Sequence, residues 1–253
     1  MNFRLVVSIG ILLNYLSSCN TLKTGLIAYY PLDNDNVQDF TKYQNHGNKH
    51  GNLISSINRH NKINSCIEFD GRDSYIRVKD NDLLRIGSDS TKSFSISLWY
   101  YSFGSANQYV NWIITKGMSR SSSSIDYGLC IQNAATKNKV KKLQWSIGPS
   151  GVGDTCAFTQ LEPLEDKVWQ HIVLVVDPNT SNSGTKSIYV NGNLYHQCNY
   201  KFKVGFRKED LLFGAGNSNI KGGSERYFYG KIDDIYIYNR VLKEKEILKL
   251  RNL

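Results

Sequence analysis

The chain has 253 residues, 12% of them aromatic and 21% charged, with 16 tyrosines, 10 phenylalanines and only 4 prolines. That apolar and aromatic content is enough for a sizeable core and excludes an intrinsically disordered chain. The formal charge is +9, and it becomes +8 if Arg4 leaves with an N-terminal leader that carries no acidic residue. Such a balance favours anionic surfaces, acidic polysaccharide or lipid head groups among them, although most of the basic residues are scattered as on any solvated surface. One cluster stands apart, Lys137, Lys139, Lys141 and Lys142.

Arg4 precedes an apolar run from Leu5 to Leu16. At about 1.5 Å per residue this run cannot cross a bilayer core of about 30 Å, but its length suits the apolar region of a secretory signal. The run ends in Leu16-Ser17-Ser18-Cys19, which resembles the bacterial lipobox. The resemblance implies a signal over residues 1–18, a lipidated Cys19, a tether over 19–24, and an exported protein held on a membrane at the cell surface or in the periplasm. Cys66, Cys130, Cys156 and Cys198 remain, allowing up to two disulfides in any of three complete pairings, or isolated buried thiols. No C-x-x-C is present, which argues against a zinc knuckle or thioredoxin-type site.

The first strand of the mature chain is expected at Gly25–Pro31, followed by a polar loop from Asp33 to Asn52. Two hairpins are read next. Cys66–Phe69, Asp70-Gly71 and Tyr75–Val78 form one; Ile188–Val190, Asn191-Gly192 and Asn193–Tyr195 form the other, with Asn-Gly supplying positive φ angles. Between them, Phe94, Ile96 and Leu98 alternate with Ser93, Ser95 and Ser97, with Trp99 on the serine side. Strands follow at Trp112–Thr115, Tyr127–Gln132 and Leu143–Ile147, and Trp169–Asp177 is apolar enough to be covered on both faces. The closing strand, Gly230–Arg240, places Ile232, Asp234, Tyr236 and Tyr238 on one face and Asp233, Ile235 and Ile237 on the other. Helical periodicity appears at Lys243–Leu250. Many strands, regular turns and one terminal helix predict an all-β, two-sheet antiparallel sandwich whose first and last strands pair.

In this order, nine pieces resemble LamG-like jelly rolls of the concanavalin A-like lectin/glucanase superfamily. They are Gly25–Leu32, Asn45-His46-Gly47, Phe69-Asp70-Gly71, Phe94–Trp99, Thr115-Lys116-Gly117, Trp169–Val173, Tyr189–Gly192, Phe213–Ala215 and the closing strand with Asn239–Leu242. The resemblance covers residues 25–253 and implies a jelly roll; the superfamily hosts lectins, adhesion modules and hydrolases, so function must be read from the site. It also implies one structural calcium where the chain ends meet, with a carboxylate from Asp234, a turn carbonyl from Gly71 and a loop oxygen from Asp39. The alternative is that Asp234 pairs with a basic side chain and Asp39 caps a turn. Two departures stand out. Phe40-Thr41-Lys42 replaces a Ser-Gly pair after Asp39, and Lys243 replaces the serine that caps the terminal helix, although Glu246 remains.

Hydrolases of this superfamily carry paired carboxylates on one strand, as in E-x-D-x-E. Here Glu68-Phe69-Asp70-Gly71-Arg72 stops short, while Glu162 and Glu165 would point to opposite faces of a strand. His46 and His50 have metal spacing but lie in a Gly/Asn-rich loop. Trp99, Trp145 and Trp169 are expected in the core, whereas Trp112 and the tyrosines could stack on sugar rings. The expectation is a non-catalytic recognition module for glycan. The alternatives are an adhesion or structural protein binding a protein partner and, behind it, a hydrolase with an unfamiliar site; nucleic acid is not expected.

Overall fold

The computed structural model describes residues 21–86, 91–104, 110–117, 125–133, 141–148, 156, 158–162, 164–203, 208–216 and 227–253. Cys19, Lys137 and Lys139 lie outside them. Along the chain run β1 (Leu26–Tyr30), β2 (Gly47–His50), β3 (Leu53–Ser56), β4 (Cys66–Asp70), β5 (Tyr75–Val78), β6 (Phe94–Ser102), β7 (Val110–Lys116) and β8 (Ile125–Asn133). Then come β9 (Lys141–Gly148), β10 (Phe158–Leu161), β11 (Trp169–Thr180), β12 (Ser183–Val190), β13 (Asn193–Tyr200), β14 (Leu211–Phe213), β15 (Tyr229–Tyr238) and the helix α1 (Glu244–Arg251).

The strands form two antiparallel sheets. Sheet A has the order β13-β12-β11-β6-β15-β4-β3 with β1 also on β15, and sheet B the order β10-β9-β8-β7-β14-β5-β2. Alternation decides what lies between them. Phe94, Ile96, Leu98, Ile172 and Leu174 of sheet A share one buried cluster with Ile76, Tyr127, Leu129, Trp145 and Phe213 of sheet B. Lys186 crosses that core: its ammonium donates to the Trp145 carbonyl at 2.9 Å and sits 4.8 Å from the Trp145 ring centre. β11 is buried from Gln170 to Val176, covered on both faces as its apolar run predicts. No helix among the described residues is long and apolar enough to cross a membrane.

The chain ends meet as expected, with Tyr29 opposite Tyr236 and Tyr30 opposite Ile235. Strict alternation in the closing strand fails, however. β15 pairs with β4 as far as Ile232 and with β1 from Ile235, and its register with β6 slips between Asp233 and Tyr236. Asp234 takes a left-handed φ of 46°, which a short polar side chain tolerates. The bulge returns Ile232, Ile235 and Ile237 to the same core while Asp233 and Asp234 both reach one guanidinium. Period-two reading had put the two aspartates on opposite faces, because it has no place for an inserted residue.

The Asn191-Gly192 hairpin is present, with φ of 51° and 85° at the turn and Val190 paired with Asn193. The Asp70-Gly71 segment is a strand-turn-strand but not a hairpin, since β4 belongs to sheet A and β5 to sheet B. Oδ1 of Asp70 accepts the N–H groups of Arg72, Asp73 and Ser74 and the Ser74 hydroxyl, which wraps the chain around a corner between sheets. The helix α1 lays Ile247 and Leu250 against Val173, Val175 and Tyr238 on the outer face of sheet A. Half of its capping box survives: Glu246 accepts the Lys243 N–H at 2.9 Å, and Lys243 offers no side-chain acceptor in return. Arg240 grips Glu246 with two bonds of 2.8 Å and also donates to the carbonyls of Thr21 and Thr24, fastening the N-terminal segment to the helix.

Of the four cysteines, Cys156 and Cys198 form a disulfide, and Cys66 and Cys130 are buried and outside any disulfide. A disulfide suits an oxidising, extracytoplasmic compartment.

Candidate functional site

At one edge of sheet B, β2 pairs with β5, Asn48 opposite Arg77 and His50 opposite Tyr75. Paired residues share a face, and Ile76 and Val78 point into the core, so Asn48, His50, Tyr75 and Arg77 all face outward. A groove of about 540 Å³ opens there, lined by Asn48, Lys49, His50, Arg77, Lys79 and Asp210. The His50 ring lies flat on Tyr75, centres 4.4 Å apart and planes within 5°, and Tyr227 follows at 6.2 Å from Tyr75. Burial and the nearby Arg77 guanidinium lower the His50 pKa, so the ring is neutral at pH 7. Nε and Nη2 of Arg77 both engage Oδ2 of Asp210, whose Oδ1 accepts the Asp80 N–H at 2.8 Å. Lys49 pairs with Asp35. Neither the Lys79 ammonium nor Nη1 of Arg77 has a partner among the described residues.

In the sequence His50 was weighed only as a metal ligand and Tyr75 and Tyr227 only among the tyrosines that could stack on sugar rings; Asn48, Lys49, Arg77, Lys79 and Asp210 did not stand out. The outward face of Tyr75 and Arg77 was legible from alternation with Ile76 and Val78. β2 was not, because Gly47-Asn48-Lys49-His50 contains no strong strand former and reads as loop. Its place depends on a close approach: a Cβ on Gly47 would stand 2.6 Å from Cγ2 of Ile76 and 2.8 Å from the Val37 carbonyl.

Both carboxylates that the family resemblance implied for calcium, Asp39 and Asp234, are engaged by other donors. Asp39 is 3% exposed. Its Oδ1 accepts the N–H groups of Tyr29 and Thr41, and its Oδ2 the Thr41 hydroxyl and the Asn45 N–H, all at 2.9–3.0 Å. Asp234 accepts Nη2 of Arg59 at 2.8 Å and the Tyr29 hydroxyl at 2.9 Å, and Gly71 occupies the corner after β4 with φ of 71°. A cation would have to displace those donors and approach a guanidinium, so these residues do not make a calcium cage. Among the described residues, no three His, Cys, Asp or Glu side chains gather as a metal site would require. His46 accepts the Asp39 N–H through Nδ1.

Arg59, from the loop between β3 and β4, is the residue that sequence reading missed. Its side chain is 6% exposed, pairs with both Asp233 and Asp234, and lies 4.7 Å from the Trp99 ring centre. Burial and the Asp234 carboxylate push the Asp233 pKa up to about 8 against the pull of Arg59. Asp233 therefore carries a proton at neutral pH, and one guanidinium balances one carboxylate. Beside them His171 hydrogen-bonds Ser97 through Nε2 at 2.9 Å, its pKa lowered to about 3 by burial, Arg59 and Arg251.

The carboxylates weighed for hydrolysis are also placed. Glu68 accepts the Ser56 hydroxyl on the outer face of sheet A, and Asp70 caps its corner. Trp145 is in the core as expected, but Trp99 and Trp169 are half-buried on the outer face of sheet A. Trp112, offered for sugar stacking, is only 2% exposed, closed in by Val110, Cys130 and Gly216. The outer end of sheet A instead carries a ring row, Trp169, Tyr101, Phe103 and Tyr229, with successive centres 5.6, 5.5 and 5.0 Å apart.

Residues 70–248 match the family model Laminin_G_3, described as the concanavalin A-like lectin/glucanases superfamily. A search of curated proteins returned no match. Among solved structures the chain resembles domain 4 of AbnA, a GH43 extracellular arabinanase of Geobacillus stearothermophilus, in complex with arabinotriose. The TM-score is 0.62 at 18% identity, covering 89% of this chain and 98% of that one. It also resembles the binding domain of Botulinum Neurotoxin DC in complex with SialylT, with TM-score 0.62, 16% identity and 91% of this chain covered. The binding domain of Paraclostridial Mosquitocidal Protein 1 gives TM-score 0.66 at 15% identity, again over 91% of this chain. The chain spans about half the length of each toxin domain, 52% in both cases. At these identities the likeness is one of fold.

Proposed function

This chain belongs to the concanavalin A-like lectin/glucanases superfamily, and on that premise we propose that it is a non-catalytic carbohydrate-recognition module. The observation that carries the reading is the groove at the β2–β5 edge, where stacked rings of His50 and Tyr75 adjoin Arg77, Lys79 and Asn48. Flat rings pack against the C–H face of a pyranose while polar neighbours hold its hydroxyls, which is how small-ligand sites combine area with orientation. Glycan-bound structures of two similar folds support it. Asp210, the carboxylate on the groove lining, is committed to Arg77 and the Asp80 N–H. A glycan array with soluble residues 20–253 tests the proposal. Wild type should bind, Tyr75→Ala should bind at least tenfold more weakly with melting lowered by no more than about 4 °C, since losing the His50–Tyr75 pair costs about 0.2–1 kcal/mol, and equal binding by both would refute the site.

Attachment is part of the same proposal. Cys19 carries lipid and places the module on the outside of a membrane; intact-mass analysis showing an unmodified terminus at another residue would defeat this. A second reading, recognition of a protein partner, is favoured by the ring row on sheet A, where Tyr229 is 37% exposed and Val168 39%. Its test is whether Tyr229→Ser abolishes binding to a protein array that Tyr75→Ala leaves intact.

A further inference from the structure

The groove does more than offer rings to a sugar. Three of its six lining side chains, Lys49, Arg77 and Lys79, are cationic, and one, Asp210, is anionic. Asp210 is itself fixed: one oxygen takes the Asp80 N–H at 2.8 Å and the other takes two nitrogens of Arg77. This arrangement holds the guanidinium by one edge, although the Arg77 side chain is 46% exposed. A long exposed arginine normally gives up rotamer freedom when it binds an anion. Here Asp210 has already restricted it, and Nη1 keeps donors to spare. Two positions along on the same face, neither the exposed Lys79 nor the amide of Asn48, which stands across from Arg77, has a partner among the described residues.

From this we infer that the groove takes an acidic glycan, its anionic group, a carboxylate or a sulfate ester, received by Nη1 of Arg77 and the ammonium of Lys79 while a ring of the sugar packs beside His50 and Tyr75. The inference rests on the carbohydrate reading of this groove. A neutral glycan would leave the Lys79 charge and the Arg77 donors facing water, whereas an anion converts both into charge-assisted bonds, roughly twice as strong as neutral ones. Asp210 acts as a positioning residue: it neutralises one cation of the lining and sets the orientation of the guanidinium.

Two matched probe pairs test the inference by titration calorimetry: oligogalacturonate against its fully methyl-esterified form, and a sulfated galactan oligosaccharide against its desulfated form. At least one acidic member should bind about tenfold or more tightly than its neutral partner, the equivalent of about 1.4 kcal/mol. Which pair shows the difference separates carboxylate from sulfate. Lys79→Gln and Arg77→Gln should each remove most of that difference, and Lys79→Gln, at an exposed position beyond β5, should leave melting unchanged. Asp210→Asn should weaken acidic binding despite making the groove more positive, an outcome that simple charge attraction would reverse. If acidic and neutral members bind equally and Tyr75→Ala still abolishes binding, the acidic inference is wrong and the carbohydrate reading stands. If no probe binds and Tyr75→Ala changes nothing on the array, both fall.

Discussion

Removing Arg59 should be among the most damaging single changes that can be made to this fold. Its guanidinium fills the place where β15 leaves β4 and has not yet joined β1, where it is the counter-charge for the Asp234 carboxylate and also hydrogen-bonds Asp233. Breaking a buried ion pair by deleting one partner costs about 3–5 kcal/mol, because the surviving charge has lost its compensation. Contact with the Trp99 ring at 4.7 Å adds about 1–2 kcal/mol for a desolvated cation. Part of this is recovered as Asp233 and Asp234 take up protons or water, so about 3–5 kcal/mol is the expected net loss for Arg59→Met. In a domain of this length, about 1 kcal/mol moves Tm by about 2–4 °C, which makes the expected drop about 6–20 °C. Urea midpoints by circular dichroism and Tm by calorimetry measure it. The triple variant Arg59→Met, Asp233→Asn, Asp234→Asn removes the charges together and should recover most of the loss, since an ion-pair cluster often contributes little beyond its neutral replacement. A drop under about 2 °C for Arg59→Met would refute the argument, as would a triple variant no better than the single one.

Because Arg59 supplies the counter-charge, Tm of the wild type should be equal in EDTA and in millimolar calcium; a rise of several degrees with calcium would restore the metal at Asp39, Gly71 and Asp234. Asp233, raised to about 8, contributes stability that is full below about pH 4 and lost as pH rises through 8; His171, lowered to about 3, contributes stability that is lost as pH falls from about 6.5. Between pH 4 and 6.5 the two slopes oppose each other, so urea midpoints of Asp233→Asn should rise with pH there relative to wild type, and a parallel pair of curves would count against the protonated aspartate. Reduction of Cys156–Cys198, which closes a separation of 42 residues, should cost about 4 kcal/mol by the chain-entropy estimate, and an unchanged urea midpoint in dithiothreitol would contradict it. Binding of an acidic oligosaccharide should weaken as ionic strength rises from physiological to 1 M and the screening length falls from about 8 Å to about 3 Å; affinity independent of salt would make the basic groove incidental.

Much of the architecture could be read directly from local patterning. Alternation at Phe94–Trp99, the Asn-Gly turn at 191–192, the doubly apolar run of β11 and the terminal helix each depend on residues close in sequence, and each appears where that patterning puts it. Pairing of the two chain ends was also legible, because an apolar strand headed by two carboxylates and an apolar strand at the start both need neighbours. Three things were decided only in three dimensions. The bulge at Asp233–Asp234 exists because β15 changes partners there, and no local pattern encodes a change of neighbour. Arg59 lies 174 residues before Asp233 in a loop with no periodicity, so nothing near it in sequence marks it as the counter-charge. β2 has poor strand formers and is a strand because Gly47 lets it close on Ile76 and Val37, and that contact is what brings His50 onto Tyr75. Local sequence specifies elements through short-range sterics and periodicity. A groove and a buried charge cluster depend on which distant segments the packing brings together, and that is settled by the fold as a whole.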